Sequence, residues 1–297
     1  MKVQVPAGFQ FLPTVYSHGW CALPPFHVDK ERGTLGMTLN IPDDSPLWLE
    51  VSQRNGDLRV HVRTSRSLSA PQRAFVRSTV RSCLRLDEDF SSFYEAANRS
   101  GRYRWISGIG GGRLLRSASA FEDVVKMICT TNCSWELTQV MVRNLCTKLG
   151  VRGEGNSSSF PTPEAIASVS EKFLRKEIRS GYRSPYLLEF SRKVARNEIQ
   201  PELWRDCTLS TADLFTEVRS VKGVGPYAAG NILKLLGHYD HLGIDSWCRK
   251  RFFEIHRTRK RRNDKTIERY YESHGRWRGL FFWMDLTKHW YQQQFPF

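Results

Sequence analysis

The chain has 297 residues, and its 45 lysines and arginines against 30 aspartates and glutamates leave a formal charge of +15. This length suffices for a real hydrophobic core, in two domains or in one large domain built from lobes. The charge favours an acidic partner such as nucleic acid, an acidic membrane surface or an acidic protein. The first residues, MKVQVPAGFQF, lack the apolar run of a signal peptide and no stretch is long enough to cross a bilayer, so we expect a soluble intracellular protein.

The first part of the chain, residues 1–66, has the pattern of a strand-rich domain. The segment GTLGMTLNI alternates in the manner of a strand. In the segment LWLEVSQRNGDLRVHV, the pair Asn55-Gly56 separates two alternating apolar runs, and Asn-Gly between such runs is a strong hairpin signal. The apolar residues that face each other across this turn are Leu47, Leu49 and Val51 on one side and Leu58, Val60 and Val62 on the other.

From residue 67 to residue 297 the apolar residues recur at helical spacing. Ser119 and Glu122 have the spacing of a capping box, which predicts the start of a helix. This helix is expected to end near TTNCS, and a second one is expected over 135–149. The predicted fold class is therefore α+β and mostly α, with an N-terminal antiparallel β domain followed by a helical domain.

In the stretch SVKGVGPYAAGNILKLLG, a short turn with two glycines interrupts the helical pattern. Ser210 and Asp213 can cap a short helix before the turn, and Pro226 suits the first turn of the helix after it. That second helix is expected to end at Gly237, which has the position of a C-terminal cap. The sequence therefore predicts two helices joined by a tight hairpin over residues 211–237.

The turn itself, Gly223-Val224-Gly225, is a candidate phosphate-binding site. Glycines can take positive φ and allow another molecule close to the main chain, and their N–H groups, with the following helix N-terminus, can hold one anionic oxygen group. In a chain of charge +15, a DNA phosphate fits this site best. The alternative is that the glycines only connect two packed helices, because GxG is a common pattern.

Asp245 stands at the head of SWCRKRFFEIH, which is predicted to be another helix. An aspartate at this place is expected to be an N-cap, and most such residues only satisfy a backbone donor. Asp245 also lies on the segment that returns toward the hairpin after Gly237, 18 residues after Tyr227.

The hairpin and the aspartate together resemble the helix-hairpin-helix (HhH-GPD) DNA glycosylase superfamily, in which an L-P-G-V-G hairpin precedes a Gly/Pro-rich loop and an invariant Asp. The matching stretches here are VKGVGPYAAG and LGID. ICTTNCSW is similar to a helix junction of 8-oxoguanine glycosylases, and IERYYESHGRWRGLFFWMDLTKHW is similar to the C-terminal helix of bacterial 3-methyladenine DNA glycosylases II. The resemblance implies a two-lobed, all-helical domain after the β domain.

The resemblance implies a DNA glycosylase of base excision repair, a hydrolase that cleaves the N-glycosidic bond of a flipped-out damaged base, with Asp245 as its catalytic residue. Tyr227 stands where bifunctional members carry the Schiff-base lysine, so we expect a monofunctional enzyme without lyase activity. Lys222 and Lys234 are interpreted as surface or phosphate-facing lysines. The expected substrate is an alkylated base, and the alternatives are an 8-oxoguanine-type glycosylase and a non-catalytic helix-hairpin-helix DNA-binding protein.

Three residues are implied to fill the gap that a flipped base leaves in the duplex. The similarity of ICTTNCSW places Asn132 at the gap-filling position, and GYRSPY resembles a segment that assigns Tyr182 as a wedge and Arg183 to the orphaned base. The alternative is a polar turn and an ordinary helix start. The second orphan-base arginine of 8-oxoguanine glycosylases aligns with Leu137, which puts strict reading of an opposite cytosine in doubt.

The pocket for the extruded base is expected to be aromatic, because stacking and cation–π attraction hold such a base. The candidates are Tyr227 and Trp135, followed by Trp247 and Trp277, although large aromatic residues also dominate protein cores.

No metal or other cofactor is expected. The seven cysteines form no CxxC pair, and Cys248 is the one cysteine after Asp245, whereas the iron–sulfur branch of the superfamily carries four there. The expected partner is double-stranded damaged DNA, bound by a monomer. The basic run RTRKRRNDK, residues 257–265, can contact the DNA backbone, and the alternatives are a solvated loop and a nuclear localisation signal. The expected location is the cytoplasm or nucleoid in a bacterium and the nucleus in a eukaryote.

Overall fold

The computed structural model describes residues 1–42, 44–65, 67–153, 157–257, 263–293 and 295. Its fold is α+β and mostly helical, as the sequence predicts. The strands are β1 (Lys2–Val3), β2 (Phe26–Asp29), β3 (Thr34–Ile41), β4 (Asp44–Arg54) and β5 (Asp57–Arg63). They form an antiparallel five-stranded sheet with the order β1-β5-β4-β3-β2.

The predicted β4–β5 hairpin is confirmed. Its turn residues, Asn55 and Gly56, both have positive φ, at 50° and 83°, which is the conformation that an Asn-Gly hairpin turn requires. Leu49 pairs with Val62 across the hairpin. Leu49 is fully buried because alternate residues of the strand point to one face of the sheet.

The structure has fourteen α-helices within the described residues. They are α1 (Phe11–Val15), α2 (Ala70–Cys83), α3 (Ser91–Asn98), α4 (Trp105–Gly108), α5 (Ala120–Thr130), α6 (Trp135–Leu149), α7 (Pro163–Ala167), α8 (Glu171–Phe173), α9 (Ser184–Ala195), α10 (Thr211–Ser220), α11 (Pro226–Leu236), α12 (Ser246–His256), α13 (Asp264–Tyr271) and α14 (Arg278–Gln292). Short 3₁₀ turns lie at Gly19–Ala22, Gly181–Arg183, Pro201–Arg205 and Glu272–Trp277, and a π turn lies at Leu174–Ile178. No helix within the described residues combines the length and the apolar composition that crossing a bilayer requires.

Helix α5 begins at the predicted place, since the side chain of Ser119 accepts a hydrogen bond from the Glu122 N–H at 3.1 Å. It is buried from Ala120 to Cys129, so it is an internal helix rather than a surface one. Ser134 caps α6 in the same way, and the short polar segment between the two helices turns the chain.

The chain folds as two compact units. The first unit comprises Met1–Glu88 and Arg113–Leu203, and it holds the sheet together with α5 and α6. The second unit comprises Asp89–Gly112 and Trp204–Pro296, and it holds the predicted hairpin and Asp245. The division of the chain into domains at residue 66 stays a prediction.

The second unit has its own aromatic core. The ring of Trp277 lies 5.3 Å from that of Phe93 and 5.1 Å from that of Tyr239, measured between centroids. Trp277 is only 4% exposed and donates a hydrogen bond to the Ser92 hydroxyl. Its aromatic surface therefore stabilises this core, in the way that large aromatics usually do.

Candidate functional site

The predicted helix, hairpin and helix are present. The Ser210 side chain caps α10 by accepting a hydrogen bond from the Asp213 N–H. After α10 the chain turns at Val221–Val224, where the Val224 N–H donates to the Val221 carbonyl at 3.0 Å. Helix α11 then ends at Gly237, whose φ of 104° is that of a left-handed C-terminal cap.

The two glycines of the turn have different backbone conformations. Gly223 has a φ of 90°, which strongly favours glycine. Gly225 has a φ of −82° and a ψ of 179°, so it does not use the positive φ that glycine permits. A β-carbon at Gly225 would meet no atom within 4 Å, so this glycine leaves open space beside the main chain.

The hairpin offers main-chain donors to an external acceptor. Within the described residues, the N–H groups of Gly223 and Gly225 donate to no main-chain carbonyl. Gly225 is the N-cap of α11, and no side chain caps that helix. Val224, between them, is 5% exposed and anchors the turn in the unit. A helix N-terminus of this kind attracts anions, because its N–H groups and the helix dipole both point toward them.

Asp245 is the N-cap of α12, as predicted. Its Oδ1 atom accepts a hydrogen bond from the Cys248 N–H at 2.7 Å. The residue is partly exposed, so the side chain is both anchored and reachable.

The loop that carries Asp245 lies directly against α11. A β-carbon on Gly230 of α11 would come within 2.9 Å of the main chain of Gly243, so the two segments touch where neither has a side chain. One residue further, the Asn231 side chain lies against Gly243 and also donates to the Tyr227 carbonyl at 2.9 Å. The returning segment thus runs along the first turns of the helix that the hairpin starts.

Lys234, on the same helix, is buried and not on the surface as the sequence suggested. It is 2% exposed, and its Nζ atom donates to the Leu242 carbonyl at 2.8 Å. Burial lowers the pKa of Lys234 to about 8, against the opposing influence of Cys248 and Asp245. Lys222, in the hairpin, is exposed as expected.

Three tryptophans of the second unit form a cluster, and one of them, Trp247, follows Asp245 by two residues in the chain. The ring of Trp247 lies 6.2 Å from that of Trp283 and 5.9 Å from that of Trp290, and Trp247 is 39% exposed. Sequence reasoning singled out Trp247 but missed the other two. Their spacing of seven residues places them on one face of α14, which was the available signal.

The two residues predicted to line the base pocket lie in different units. Tyr227 is in the second unit, in the first turn of α11, where it lines an open groove of about 570 Å³ with Pro226 and the loop 240–244. Trp135 is in the first unit, where it starts α6 and is partly exposed. Their role as a base pocket stays a prediction.

The three gap-filling candidates come together in the first unit. Asn132 is exposed and has a φ of 45°, at the turn between α5 and α6. The carbonyl of the preceding Thr131 accepts hydrogen bonds from the Tyr182 hydroxyl, at 3.1 Å, and from the Arg183 guanidinium. Tyr182 is 45% exposed, whereas Arg183 is 3% exposed. Arg183 therefore braces the Asn132 turn, and its contact with an orphaned base stays a prediction.

Of the basic segment 257–265, residues 258–262 lie outside the described part of the chain. Contact between this segment and DNA therefore stays a prediction.

The chain matches the model of one protein family and is similar in sequence to two known proteins. The model of a family described as "HhH-GPD superfamily base excision DNA repair protein" matches residues 125–276, a range that contains Asn132, the hairpin and Asp245. A probable N-glycosylase/DNA lyase of Methanothermobacter thermautotrophicus is 25% identical over 289 residues, which cover 90% of this chain and 89% of that protein. An N-glycosylase/DNA lyase of Saccharomyces cerevisiae is 26% identical over 133 residues, 40% of this chain and 35% of that one.

Two solved structures have the same fold along nearly the whole chain. A 3-methyladenine DNA glycosylase from Archaeoglobus fulgidus has a TM-score of 0.76 at 18% identity, and the match covers 98% of this chain and 99% of that one. An 8-oxoguanine glycosylase/lyase from Clostridium acetobutylicum, solved with double-stranded DNA containing cytosine opposite 8-oxoguanine, has a TM-score of 0.74 at 19% identity, covering 96% and 92%.

Proposed function

Because the chain belongs to the HhH-GPD superfamily of base excision DNA repair proteins, we propose that it is a monofunctional DNA glycosylase that hydrolyses the N-glycosidic bond of an alkylated, flipped-out base. One observation carries this proposal above the others. The carboxylate of Asp245 is held as an N-cap at the end of a loop that lies along the hairpin helix α11.

The proposed reaction needs a carboxylate near the sugar of the reacting nucleotide. Cleavage of an N-glycosidic bond builds positive charge on the sugar, as in glycoside hydrolysis generally. A carboxylate about 4 Å from that charge, at an effective dielectric constant near 20, attracts it by roughly 4 kcal/mol. That energy corresponds to about three decades in rate. Asp245 therefore stabilises the developing cation and orients or deprotonates the attacking water.

The hairpin holds the DNA strand beside the reacting nucleotide. The N–H groups of Gly223 and Gly225 bind one phosphate oxygen group, and the open space at Gly225 lets the phosphate approach the main chain. Val224 anchors the turn through its buried side chain. These contacts give affinity and register without reading the sequence of the DNA.

Tyr227 supports the monofunctional assignment, because a phenol cannot form an imine with the sugar. Lys234 does have an amine, but that amine is buried and donates to the Leu242 carbonyl. Base release is therefore expected without a covalent intermediate.

An aromatic surface receives the extruded base. The partly exposed Trp247 follows Asp245 by two residues and packs on Trp283 and Trp290, which supports this region of the second unit as a stacking surface. Stacking and cation–π attraction favour a partly cationic, alkylated base. Tyr227, in the same unit, is a further proposed member of this surface.

A second candidate substrate is 8-oxoguanine. It is favoured by the similar proteins, which include N-glycosylase/DNA lyases and an 8-oxoguanine glycosylase. The arrangement of Asn132, Tyr182 and Arg183 around one turn fits a duplex-inserting element in either case.

A panel of duplexes that contain 3-methyladenine, hypoxanthine, 8-oxoguanine or uracil, assayed for free base, tests the proposal. Release of 3-methyladenine faster than of the other bases is the expected result. Preferential release of 8-oxoguanine supports the second candidate. Salt-dependent binding without release of any base would instead favour a non-catalytic DNA-binding protein.

A further inference from the structure

A buried ammonium group lies next to the segment that carries Asp245. Lys234 is on the third turn of α11, and its Nζ atom donates to the carbonyl of Leu242, three residues before Asp245, at 2.8 Å. The two ends of this short segment are thus both held, one by Lys234 and the other by the Asp245 cap on α12.

Aromatic rings lie close to the Lys234 ammonium group. The rings of Phe282 and Trp283 lie 5.9 and 5.5 Å from the Nζ atom, so much of its surroundings is apolar. Burying an ammonium in such surroundings is costly unless a charge or a hydrogen bond compensates it. Ionisable groups that are buried at such a cost concentrate at functional sites.

The titratable groups that act on the ammonium belong to α12 and its cap. They are Asp245 and Cys248, and burial raises the pKa of the Cys248 thiol, which therefore stays neutral. The carboxylate of Asp245 then supplies the negative charge that raises the pKa of Lys234 against the effect of burial.

We propose that Lys234 is a positioning residue for the reaction at Asp245. Its ammonium group holds the Leu242–Asp245 segment against α11 and keeps the carboxylate of Asp245 in the position that base release requires. The inference rests on the proposed function, because it assigns to Lys234 a part in the same reaction. Lys234 itself touches no reacting atom.

The charge of Lys234, and not only its hydrogen bond, is needed for this role. A neutral amine can still donate to the Leu242 carbonyl, but it no longer attracts the Asp245 carboxylate. Because burial lowers the pKa of Lys234 to about 8, the cation is lost as the pH rises through that value. The rate of base release should therefore fall on the alkaline side.

The first experiment is single-turnover base release by the full chain, at saturating enzyme, from pH 6 to pH 9.5. The wild-type rate is expected to fall at least fivefold above about pH 8. Lys234→Met is expected to be at least tenfold slower at pH 7 and to show no alkaline fall. Lys250→Met is the matched control, since the Lys250 side chain is 79% exposed on α12, and it should keep the wild-type profile.

Two results would overturn the inference. One is a wild-type rate that stays flat from pH 7 to pH 9.5, which needs no variant and so does not depend on the folding of Lys234→Met. The other is a wild-type rate and profile in Lys234→Gln, which keeps a donor for the Leu242 carbonyl without the charge. Absence of base release at pH 7 on every lesion would count instead against the proposed function.

A second measurement does not depend on activity. In NMR spectra of the protein with labelled lysine side chains, one resonance should titrate near pH 8 and be missing in Lys234→Met. In Asp245→Asn the same resonance should titrate at a lower pH, because the carboxylate partner is gone. An unchanged titration in Asp245→Asn would contradict the pairing.

Discussion

Gly230 and Gly243 touch: a β-carbon on Gly230 would lie 2.9 Å from the main chain of Gly243. Since Gly230 is on α11 and Gly243 is two residues before Asp245, this contact sets how closely the aspartate loop approaches the hairpin helix. A side chain at Gly230 has no room to move aside, because the neighbouring atoms belong to the main chain.

Gly230→Ala is therefore expected to push the loop away from α11. Overpacking of this kind costs about 1 to 3 kcal/mol of unfolding free energy, and it should slow base release more than it weakens DNA binding. Chemical denaturation and single-turnover assays measure the two effects. Gly108→Ala is the control, because a β-carbon there meets no atom within 4 Å. Equal behaviour of the two variants would mean that the contact has no part in placing Asp245.

Asp245→Asn tests the assignment of the catalytic residue. Asparagine also caps helices, so the variant should fold and bind damaged DNA with near-normal affinity. Base release should fall by about three decades, because the neutral amide no longer stabilises the sugar cation. Asp206→Asn, at an exposed position of the same unit, should release base at the wild-type rate. Near-normal turnover by Asp245→Asn would refute the assignment.

Gly225→Ala separates DNA binding from stability. The φ of −82° suits alanine and the site is open, so the unfolding free energy should stay within about 0.5 kcal/mol of wild type. The added methyl group lies where the phosphate is proposed to approach, so the Kd for duplex DNA at fixed salt should rise about tenfold or more. Gly223→Ala, by contrast, should destabilise the protein, because its φ is 90°. Unchanged binding by a well-folded Gly225→Ala would argue that the hairpin is only a connector.

Incubation with damaged duplex and borohydride should trap no covalent adduct of the wild-type protein, because Tyr227 supplies no amine. Tyr227→Lys places an amine at that position and should give a trapped complex, detected as a shifted band on a denaturing gel. A trapped covalent adduct of the wild-type protein would contradict the monofunctional proposal. Loss of that adduct in Lys234→Met would identify Lys234 as the amine that forms it.

The buried charge of Lys234 should appear in the pH dependence of stability. Its pKa is about 8 in the folded protein and 10.5 in the unfolded chain, so between these values the unfolded state binds more protons. The cost of the buried charge is therefore fully present below pH 8 and is relieved as the pH rises toward 10.5. Relative to Lys234→Met, the unfolding free energy of the wild type should rise by up to about 3 kcal/mol over this range. Parallel curves for the two proteins, measured by urea denaturation, would contradict a charged Lys234 in the core.

The positions at which helices and turns begin and end could be predicted from the sequence. The Asn55-Gly56 turn, the Ser210 cap of α10, the Gly237 end of α11 and the Asp245 cap of α12 all lie where expected. Each of these signals acts over a few neighbouring residues, because a cap or a tight turn bonds to main-chain groups within about four positions.

By itself, then, the sequence determined the fold class, the hairpin and the order of hairpin and aspartate, which was enough to indicate the superfamily. Only the tertiary structure decided that Lys234 is buried beneath the aspartate loop, that Gly225 stays extended, and that Trp283 and Trp290 join Trp247. The physical reason is that burial and side-chain clustering depend on contacts between segments that are distant in the chain, such as α11, the loop at Gly243 and α14. No local pattern of residues specifies how such segments pack against each other.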